Sequence, residues 1–297
     1  MNQLYKKIYI VLILISLFIF ETKFFLFGIS KRNKNIFTFW EPHEKIPGYI
    51  HLCIKTWKKF LPDYQIKILD YETVKKYLGE KLFSQIICKN MTLPLQTDAI
   101  RVAVLKKFGG FWIDADTIIL NGEFLKNYNT FDMVMFGDIK KKTQNIGFIF
   151  ASHNSEIIDK WLKGIINNVR IYKKTMIIAN SEKRKKINAW NYLGNGILDR
   201  LVKNAERKEF IRLDRDKLNA MPELNHYENS SLTQPQKYIL LYFTKGEPQI
   251  VLNITKNIIL LHNSWTPYKY KMMSEKEFLN QDILLSKLLS KVLYKSI

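Results

Sequence analysis

The stretch Lys106–Asn121, KKFGGFWIDADTIILN, decides the fold, because an apolar, strand-like run there carries two carboxylates directly after a glycine pair. Aspartate is depleted in strands and is costly to bury without a partner. In an extended strand Asp114 and Asp116 leave on the same face, where they repel each other unless a cation lies beside them. The pattern therefore predicts either a solvated strand end or a site for a hard, oxygen-seeking ion such as Mg²⁺ or Mn²⁺.

A predicted helix, Thr97–Phe108, precedes this strand and carries a second pair of charges. Asp98 and Arg101 are three residues apart, so they share one helix face within an otherwise apolar stretch. An unpaired charge there would be expensive to bury, which favours a functional pair over a surface ion pair that contributes little. Gly109-Gly110 suits the left-handed cap and tight turn that lead from the helix into the strand.

The charge balance of the chain points to a phosphate-bearing partner. The 297 residues include 47 Lys and Arg against 27 Asp and Glu, a formal charge of +20. Such an excess suits nucleic acid, anionic lipid or a nucleotide-linked substrate. The Lys-, Asn- and Ile-rich composition that an AT-rich genome imposes is the alternative explanation. Two cysteines, Cys53 and Cys88, make neither a disulfide framework nor a zinc set and favour a reducing compartment.

Residues 1–34 are predicted to be a membrane anchor and basic linker, ahead of one domain at residues 35–297. Ile8–Phe20 is apolar except for Ser16, and a second apolar run, Phe24–Ile29, follows it. The first run is short for a bilayer span, which takes about 20 residues, so a buried core helix is the alternative. The distribution of Lys and Arg around the run slightly favours a cytoplasmic domain.

Strands and helices alternate along the rest of the chain, which predicts an α/β sheet rather than a sandwich. The lysine-rich segment Ile171–Asn188 is left open between a loop and an exposed helix. The tail Ser274–Tyr294 is predicted to be one amphipathic helix that packs on the core or lies on a membrane surface. The predicted strands are Asn35–Trp40, Asp63–Asp70, Phe111–Leu120, Asp132–Gly137, Ile146–Ser152, Lys237–Phe243 and Asn257–His262, and the other predicted helices are Ile46–Phe60, Tyr71–Leu78, Lys81–Cys88 and Ser155–Val169.

The run LPLQTDAIRVAVLKKFGGFWIDADTII, residues 93–119, resembles the shared core of DXD-containing sugar transferases. It is most similar to the capsular polysaccharide synthesis proteins, relatives of glycosyltransferase family 32 and of the glucosylating clostridial toxins. Their pattern is S/T-D-x-x-R, a spacer, and then G-G-x-[YW]-x-D-x-D, which this sequence matches in register. FTFWEPHEK, starting at Phe37, resembles the family's opening, and LLHNSW, residues 260–265, resembles its closing element. The likeness covers residues 35–265 and is weak over residues 171–250.

The resemblance implies a GT-A-type (Rossmann-like) mixed sheet flanked by helices. It implies metal-dependent, retaining transfer of a sugar from a nucleotide donor, expected to be a UDP-sugar. The expected acceptor is a glycan or glycolipid in capsule or lipooligosaccharide synthesis, and no nucleic-acid partner is expected. Together with the anchor, this predicts a membrane-associated protein whose catalytic domain lies on the cytoplasmic face of the bacterial inner membrane.

The resemblance also implies roles for individual residues. Asp116, helped by Asp114, would hold Mn²⁺ or Mg²⁺ against the donor diphosphate, with His262 completing the metal shell or contacting the phosphates. Asp98 and Arg101 would orient the donor sugar. The remaining implied donor contacts are Trp40, stacked on the base, Asn145, near the sugar, and Ser264 and Trp265, closing over the diphosphate.

Each role has an ordinary structural alternative. Trp40 is also a suitable core residue, Asn145 a turn residue and His262 a strand-end histidine. YLGNGILDRL, residues 192–201, is either a helix start near the acceptor or a simple loop and cap. For the whole chain, the alternatives are a metal-dependent nuclease or phosphotransferase, and an inactive membrane scaffold with the same fold.

Overall fold

The computed structural model describes residues 34–138, 143–178, 191–204, 211–214 and 218–295. The statements that follow concern these residues. The predicted anchor, except for its last residue, Lys34, lies outside them, as do residues 179–188 of the lysine-rich segment, whose first residues are helical.

A six-stranded mixed sheet carries the site, in the order β2-β1-β3-β6-β5-β7. Strand β1 is parallel to β2 and β3, whereas β6 is antiparallel to both β3 and β5, and β7 is parallel to β5. A mixed α/β sheet was expected from the sequence, and it is present. The strands of this sheet are β1 (Asn35–Phe39), β2 (Gln65–Leu69), β3 (Gly110–Ile113), β5 (Met133–Asp138), β6 (Thr143–Ala151) and β7 (Ile211–Asp214).

The prediction of one strand over Phe111–Leu120 is wrong. The chain leaves the main sheet after Ile113, turns through residues 114–116, and forms β4 (Thr117–Ile119), which pairs antiparallel with β8 (Ile258–Leu260) in a separate two-stranded ribbon. The amide of Thr117 donates to the carbonyl of Asp114, which closes the turn. Asp114 and Asp116 therefore lie in a turn, and the argument that they share one face of an extended strand fails.

Helices cover both faces of the sheet. The predicted strand at residues 237–243 is wrong, because it lies in helix α8. Thr233 and Gln236 form a capping box at its start, and Tyr238, Leu241 and Tyr242 are buried at helical spacing. The helices are α1 (Gly48–Phe60), α2 (Tyr71–Leu78), α3 (Glu80–Ile86), α4 (Leu93–Phe108), α5 (Glu156–Ile178), α6 (Asn195–Asn204), α7 (Pro222–His226), α8 (Gln234–Tyr242), α9 (Gln249–Leu252), α10 (Tyr268–Lys271), α11 (Glu275–Leu279) and α12 (Leu284–Tyr294).

The tail is two helices rather than one. Ser274 caps α11 through a capping box with Glu277, and residues 280–283 separate α11 from α12. The apolar stripe of α12 is buried, with Leu284, Leu288 and Val292 each almost fully covered. The stripe therefore packs on the core, which decides between the two predicted roles of this face.

Successive side chains of each strand point alternately into two hydrophobic cores, one on each side of the sheet. Ile36 and Phe111 belong to the core shared with α1, α8 and α12. Phe37 and Trp112 point the other way, into the core shared with α4 and α5. This alternation fixes the register of the strands. Because β1 and β3 are parallel, their carboxyl ends lie side by side, which is where ligands bind in open α/β sheets.

In the part of the chain that the structure describes, no helix is both long and apolar enough to cross a membrane.

Candidate active site

A pocket of about 580 Å³ opens where β1 and β3 end and where the β4–β8 ribbon begins. It gathers eight of the nine residues that the sequence singled out, which come from five separate segments. They are Trp40, Asp98, Arg101, Asp114, Asp116, Asn145, His262 and Ser264. Trp265 is not among the residues that line the pocket.

A chain of charges crosses the floor of this pocket. One nitrogen of the Arg101 guanidinium donates to Asp98 Oδ1 at 2.8 Å, and the other donates to Asp114 Oδ1 at 3.0 Å. Arg101 is only 3% exposed, so the pair with Asp98 is not a surface ion pair. The indole of Trp112 donates to the same oxygen of Asp114 at 2.8 Å. Helix α4 thus holds the turn after β3 by a bridge through one arginine.

The Asp98 carboxyl is held in an environment that opposes its charge. Burial raises its pKa to about 7, against the opposing attraction of Arg101, and the negative charge of Asp114 raises it further. Its second oxygen lies so close to Gly194 that an added Cβ there would approach it to 2.4 Å. Glycine at position 194 therefore makes room for this carboxylate.

Asp116 is hydrogen-bonded to the segment that follows β8 and closes the pocket. Its Oδ2 accepts a hydrogen bond from the backbone amide of Asn263 at 2.7 Å, and its carbonyl accepts one from Leu261 at 3.2 Å. Burial and the neighbouring negative charge of Asp114 raise the pKa of Asp116 to about 7. The turn therefore concentrates negative charge beside an open cavity.

The fit of a divalent cation rests on the Asp114–Asp116 pair. Arg101 offsets only part of the negative charge of Asp98, Asp114 and Asp116, and two carboxylates with charge left over suit Mg²⁺ or Mn²⁺. Across the described residues, no group of three or more His, Cys, Asp and Glu side chains is arranged to hold a metal. His262 therefore does not join the two aspartates in one preformed cluster. A cation would be held by the aspartates, with phosphate or water oxygens completing its shell, as is usual for Mg²⁺.

His262 lies at the end of β8 between a carboxylate and an indole. Its Nε2 is 3.9 Å from Glu223 Oε1, and its ring centroid is 4.0 Å from that of Trp265. Glu223 is fully buried and accepts from the hydroxyl of Tyr242 at 3.4 Å. Trp265 therefore backs His262 rather than lining the pocket. Glu223 was missed by sequence reasoning, because PELNH carries no motif and only the tertiary fold places its carboxylate beside His262.

Trp40 and Asn145 flank the pocket on the main sheet. Trp40 is half-buried and packs against the first core, so it is both a core contact and a pocket wall. The Asn145 side chain accepts from the amide of Gly147 at 2.8 Å, which is the turn-like bond expected of its structural alternative. Asn145 also lines the pocket, so it is both a turn residue and a wall of the candidate site.

Two glycines that the sequence analysis did not select shape the acid cluster. A Cβ at Gly147 would lie 2.7 Å from Asp114 Oδ2, much as one at Gly194 would meet Asp98. Gly194 directly precedes α6, and Asn195, the first residue of that helix, lines the pocket. YLGNGILDRL is therefore a helix start at the edge of the site.

Comparison with protein families decides the classification. A family model described as capsular polysaccharide synthesis protein matches residues 23–187, more than half of the chain. The chain belongs to the capsular polysaccharide synthesis protein family. The predicted family is confirmed, and with it the predicted enzyme class, a glycosyltransferase. This family member has no significant sequence match among curated proteins.

Three solved structures that resemble this family member are described as glycosyltransferases. The PaToxG glycosyltransferase is 19% identical, with a TM-score of 0.37 over 88% of this chain and 86% of that one. The ligand-free glycosyltransferase domain of the YGT toxin is 10% identical, with a TM-score of 0.42 over 88% and 99%. The glycosyltransferase GlyE of Streptococcus pneumoniae TIGR4 is 11% identical, with a TM-score of 0.38 over 89% and 66%.

Proposed function

We propose that the protein transfers a sugar from a nucleotide-sugar donor, expected to be a UDP-sugar, to a glycan or glycolipid acceptor in capsule synthesis. The observation that carries the proposal is the bridge from Asp98 through Arg101 to Asp114, set beside Asp116 in one pocket of a capsular polysaccharide synthesis protein. Retention of the anomeric configuration is part of the proposal, on the resemblance of the DXD core.

A divalent cation, Mn²⁺ or Mg²⁺, held by Asp114 and Asp116 would neutralise charge on the departing diphosphate. The chain's own residues prepare the pocket for that event. Arg101 fixes the Asp114 carboxylate, and the backbone of Asn263 fixes that of Asp116, so neither has to reorganise when the donor binds. Asp98 presents an oxygen beside Gly194, where it would accept a hydrogen bond from a sugar hydroxyl.

An aromatic wall and a polar wall of the pocket suit the base and the diphosphate of the donor. Trp40 offers a ring face at the end of β1 on which a nucleotide base would stack. Ser264 and His262, at the end of β8, lie on the side of the pocket where Asp116 would present the diphosphate. Trp265 would act indirectly, by supporting the ring of His262.

The proposed location is the cytoplasmic face of the bacterial inner membrane, with the segment Ile8–Phe20 as anchor. The apolar composition of that segment and the lysines and arginines around it support this location. A surface-glycan acceptor that is built on a membrane lipid would meet the enzyme there.

Hydrolysis of nucleotide sugars by the full-length chain in mild detergent tests the proposal. A panel of UDP- and GDP-sugars is incubated with Mn²⁺ or with chelator, and the released nucleotide is measured. We expect chelator-sensitive turnover of one donor, lost in the double variant Asp114→Asn, Asp116→Asn. No turnover and no Mn²⁺-dependent binding of any nucleotide would overturn the proposal, and salt-sensitive cleavage of nucleic acid would replace it with the nuclease alternative.

A further inference from the structure

A second cavity, of about 900 Å³, lies at the opposite end of the β4–β8 ribbon from the candidate active site. Leu120 and Lys256 line it, directly beyond β4 and just before β8, whereas Thr117 and Leu260 at the other ends of the same strands line the acid pocket. β4 has three residues, so the two cavities are separated by a buried ribbon about 10 Å long. We call it the lysine cavity, after its lining residues Lys59, Lys256, Lys291 and Lys295.

The lysine cavity carries uncompensated positive charge. None of its described lining residues is acidic. Lys59 Nζ donates to the carbonyls of Val292 and Leu293, at 2.7 and 3.2 Å, and Lys291 Nζ donates to the side-chain oxygen of Gln249 at 3.2 Å. These partners orient the ammonium groups without cancelling their charge.

Lys287, one turn before Lys291 on α12, is neutralised by acidic side chains, in contrast to the lysines of the cavity. Lys287 lies 2.9 Å from Asp282 and 3.4 Å from Glu247. Lys291, four residues later on α12, faces the cavity and an uncharged amide instead. Lys287 is therefore neutralised by acidic side chains, whereas Lys291 on the same helix is not.

The N-terminal residues join the described domain at the same end of the main sheet. Lys34 precedes β1, its carbonyl accepts from the amide of Gln65 at 2.8 Å, and its ammonium lies 3.3 Å from Asp63. Phe60, which lines the lysine cavity, is separated from Gln65 by only four residues. Lys34, the last residue of the predicted anchor and linker, therefore lies at the lysine-cavity end of the strands, whereas the active-site pocket lies beyond their other end.

The rim of the cavity has the composition of a membrane–water interface. Phe60 and Leu293 contribute apolar surface, and Tyr294, 64% exposed, stands at its edge. Tyrosine is favoured at the headgroup level of bilayers, and clustered lysines next to an anchoring segment attract anionic lipids. Nucleic acid would account for the charge but not for the apolar and tyrosine side chains of the rim.

We infer that the lysine cavity docks on the anionic phospholipid headgroups of a membrane surface. The domain then rests on the bilayer through Lys59, Lys256, Lys291 and Lys295, with the active-site pocket at the far end of its strands. This docking does not depend on sugar transfer, so the two proposals fail separately.

Vesicle flotation of the full-length chain tests the inference. The chain is diluted from detergent into vesicles of phosphatidylcholine alone, or with one third phosphatidylglycerol, at low and high salt. Binding to the neutral vesicles reports the N-terminal segment, and the increment on anionic vesicles reports the cavity. We expect the variant Lys256→Gln, Lys291→Gln, Lys295→Gln to lose at least tenfold of that increment, since each lysine near an anionic surface contributes roughly fivefold.

A matched control removes the same charge elsewhere. Lys76, Lys89 and Lys203 are exposed and lie outside the cavity, and their triple glutamine variant should keep the increment within about twofold of the unmodified chain, because screening confines each charge to a Debye length. The triple arginine variant of the cavity should also keep it. Circular dichroism and urea unfolding serve as the folding check for all variants.

The inference is overturned if both glutamine triples lose the same increment, or if the unmodified chain shows no increment. It is also overturned if the cavity triple abolishes binding to a DNA duplex and leaves the lipid increment intact.

Discussion

The two ends of the β4–β8 ribbon carry opposite charge and hold it in different ways. At one end Asp98, Arg101 and Asp114 bind each other, with Arg101 almost fully buried between the two carboxylates. At the other end four lysines line an open cavity, and those with described partners contact carbonyls and an amide. Each charge at the acid end depends on its neighbours, whereas each lysine is largely independent.

This difference predicts which substitutions will lower the stability of the fold. Removing one member of a buried charged network leaves its partners desolvated and unpaired, which is costly. Removing one exposed lysine leaves no buried partner without its counter-charge, because water solvates the groups that remain. Four tests break or sharpen the comparison, and they follow in order of expected effect.

Arg101→Met should be the most damaging single change to stability. It leaves Asp98 buried without its cation, which typically costs about 3–5 kcal/mol. Urea unfolding followed by circular dichroism measures the loss. The double variant with Asp98→Asn should recover part of it, because the stranded charge is then gone. An unchanged urea midpoint for Arg101→Met would contradict the network.

Asp116→Asn should separate activity from stability. Asparagine keeps an oxygen that accepts from the Asn263 amide, so the closing segment stays in place, but the negative charge that would bind a cation is lost. Donor turnover should fall by about 10²–10³, the range seen when one preorganised electrostatic group is removed. Lys291→Gln, measured alongside, should leave turnover unchanged. Retained Mn²⁺-dependent turnover in Asp116→Asn would remove this residue from the site.

Gly194→Ala should have an intermediate effect, localised to Asp98. The new Cβ would lie 2.4 Å from Asp98 Oδ2, and overpacking of this kind costs about 1–3 kcal/mol. Thermal unfolding should show a lowered midpoint, and Gly194→Ala should lower the midpoint less in an Asp98→Ala background than in the unmodified chain. Donor turnover should not return in that double variant. A wild-type midpoint for Gly194→Ala would mean that the contact relaxes without cost.

Single lysine substitutions at the basic end should change stability least. Lys59→Gln removes a cation from the last carbonyls of α12, which is worth about 0.3–1 kcal/mol. Lys256→Gln, at an exposed position, should fall within about 0.5 kcal/mol of the unmodified chain. Urea midpoints for the two variants check this. A loss as large as that of Arg101→Met would show that the lysines, too, form a buried network.

The sequence predicted the elements whose signals are local. The helix that became α4 and the strands β1, β2 and β8 lie where apolar periodicity and flanking polar residues indicated. The spacing of the DXD pattern identified Asp98, Arg101, Asp114 and Asp116, and the other pocket residues came from the rest of the family resemblance. Eight of them do meet, although the turn at residues 114–116 brings the aspartates together in a way that differs from the expected strand face.

The failures arise where tertiary contacts decide. Lys237–Phe243 has only apolar and aromatic residues after Lys237, so composition alone could not distinguish a strand from a helix buried on one side. The capping box of Thr233 with Gln236 was the overlooked signal. Glu223 and Gly194 matter because of what lies against them in space. No periodicity in the sequence reports a carboxylate beneath His262 or the space that Asp98 requires.

The hydrogen bond from the Asn263 amide to Asp116 joins residues 147 positions apart in the chain. Contacts of such long sequence separation carry a high loop-closure entropy and form late in folding. The acid pocket therefore exists only after β8 has paired with β4, even though α4 and β3 can find each other early. During synthesis, a nascent chain that ends before Ile258 would already contain every acidic residue of the site and still lack the pocket, so the enzyme becomes competent to hold its donor only near the end of its own translation.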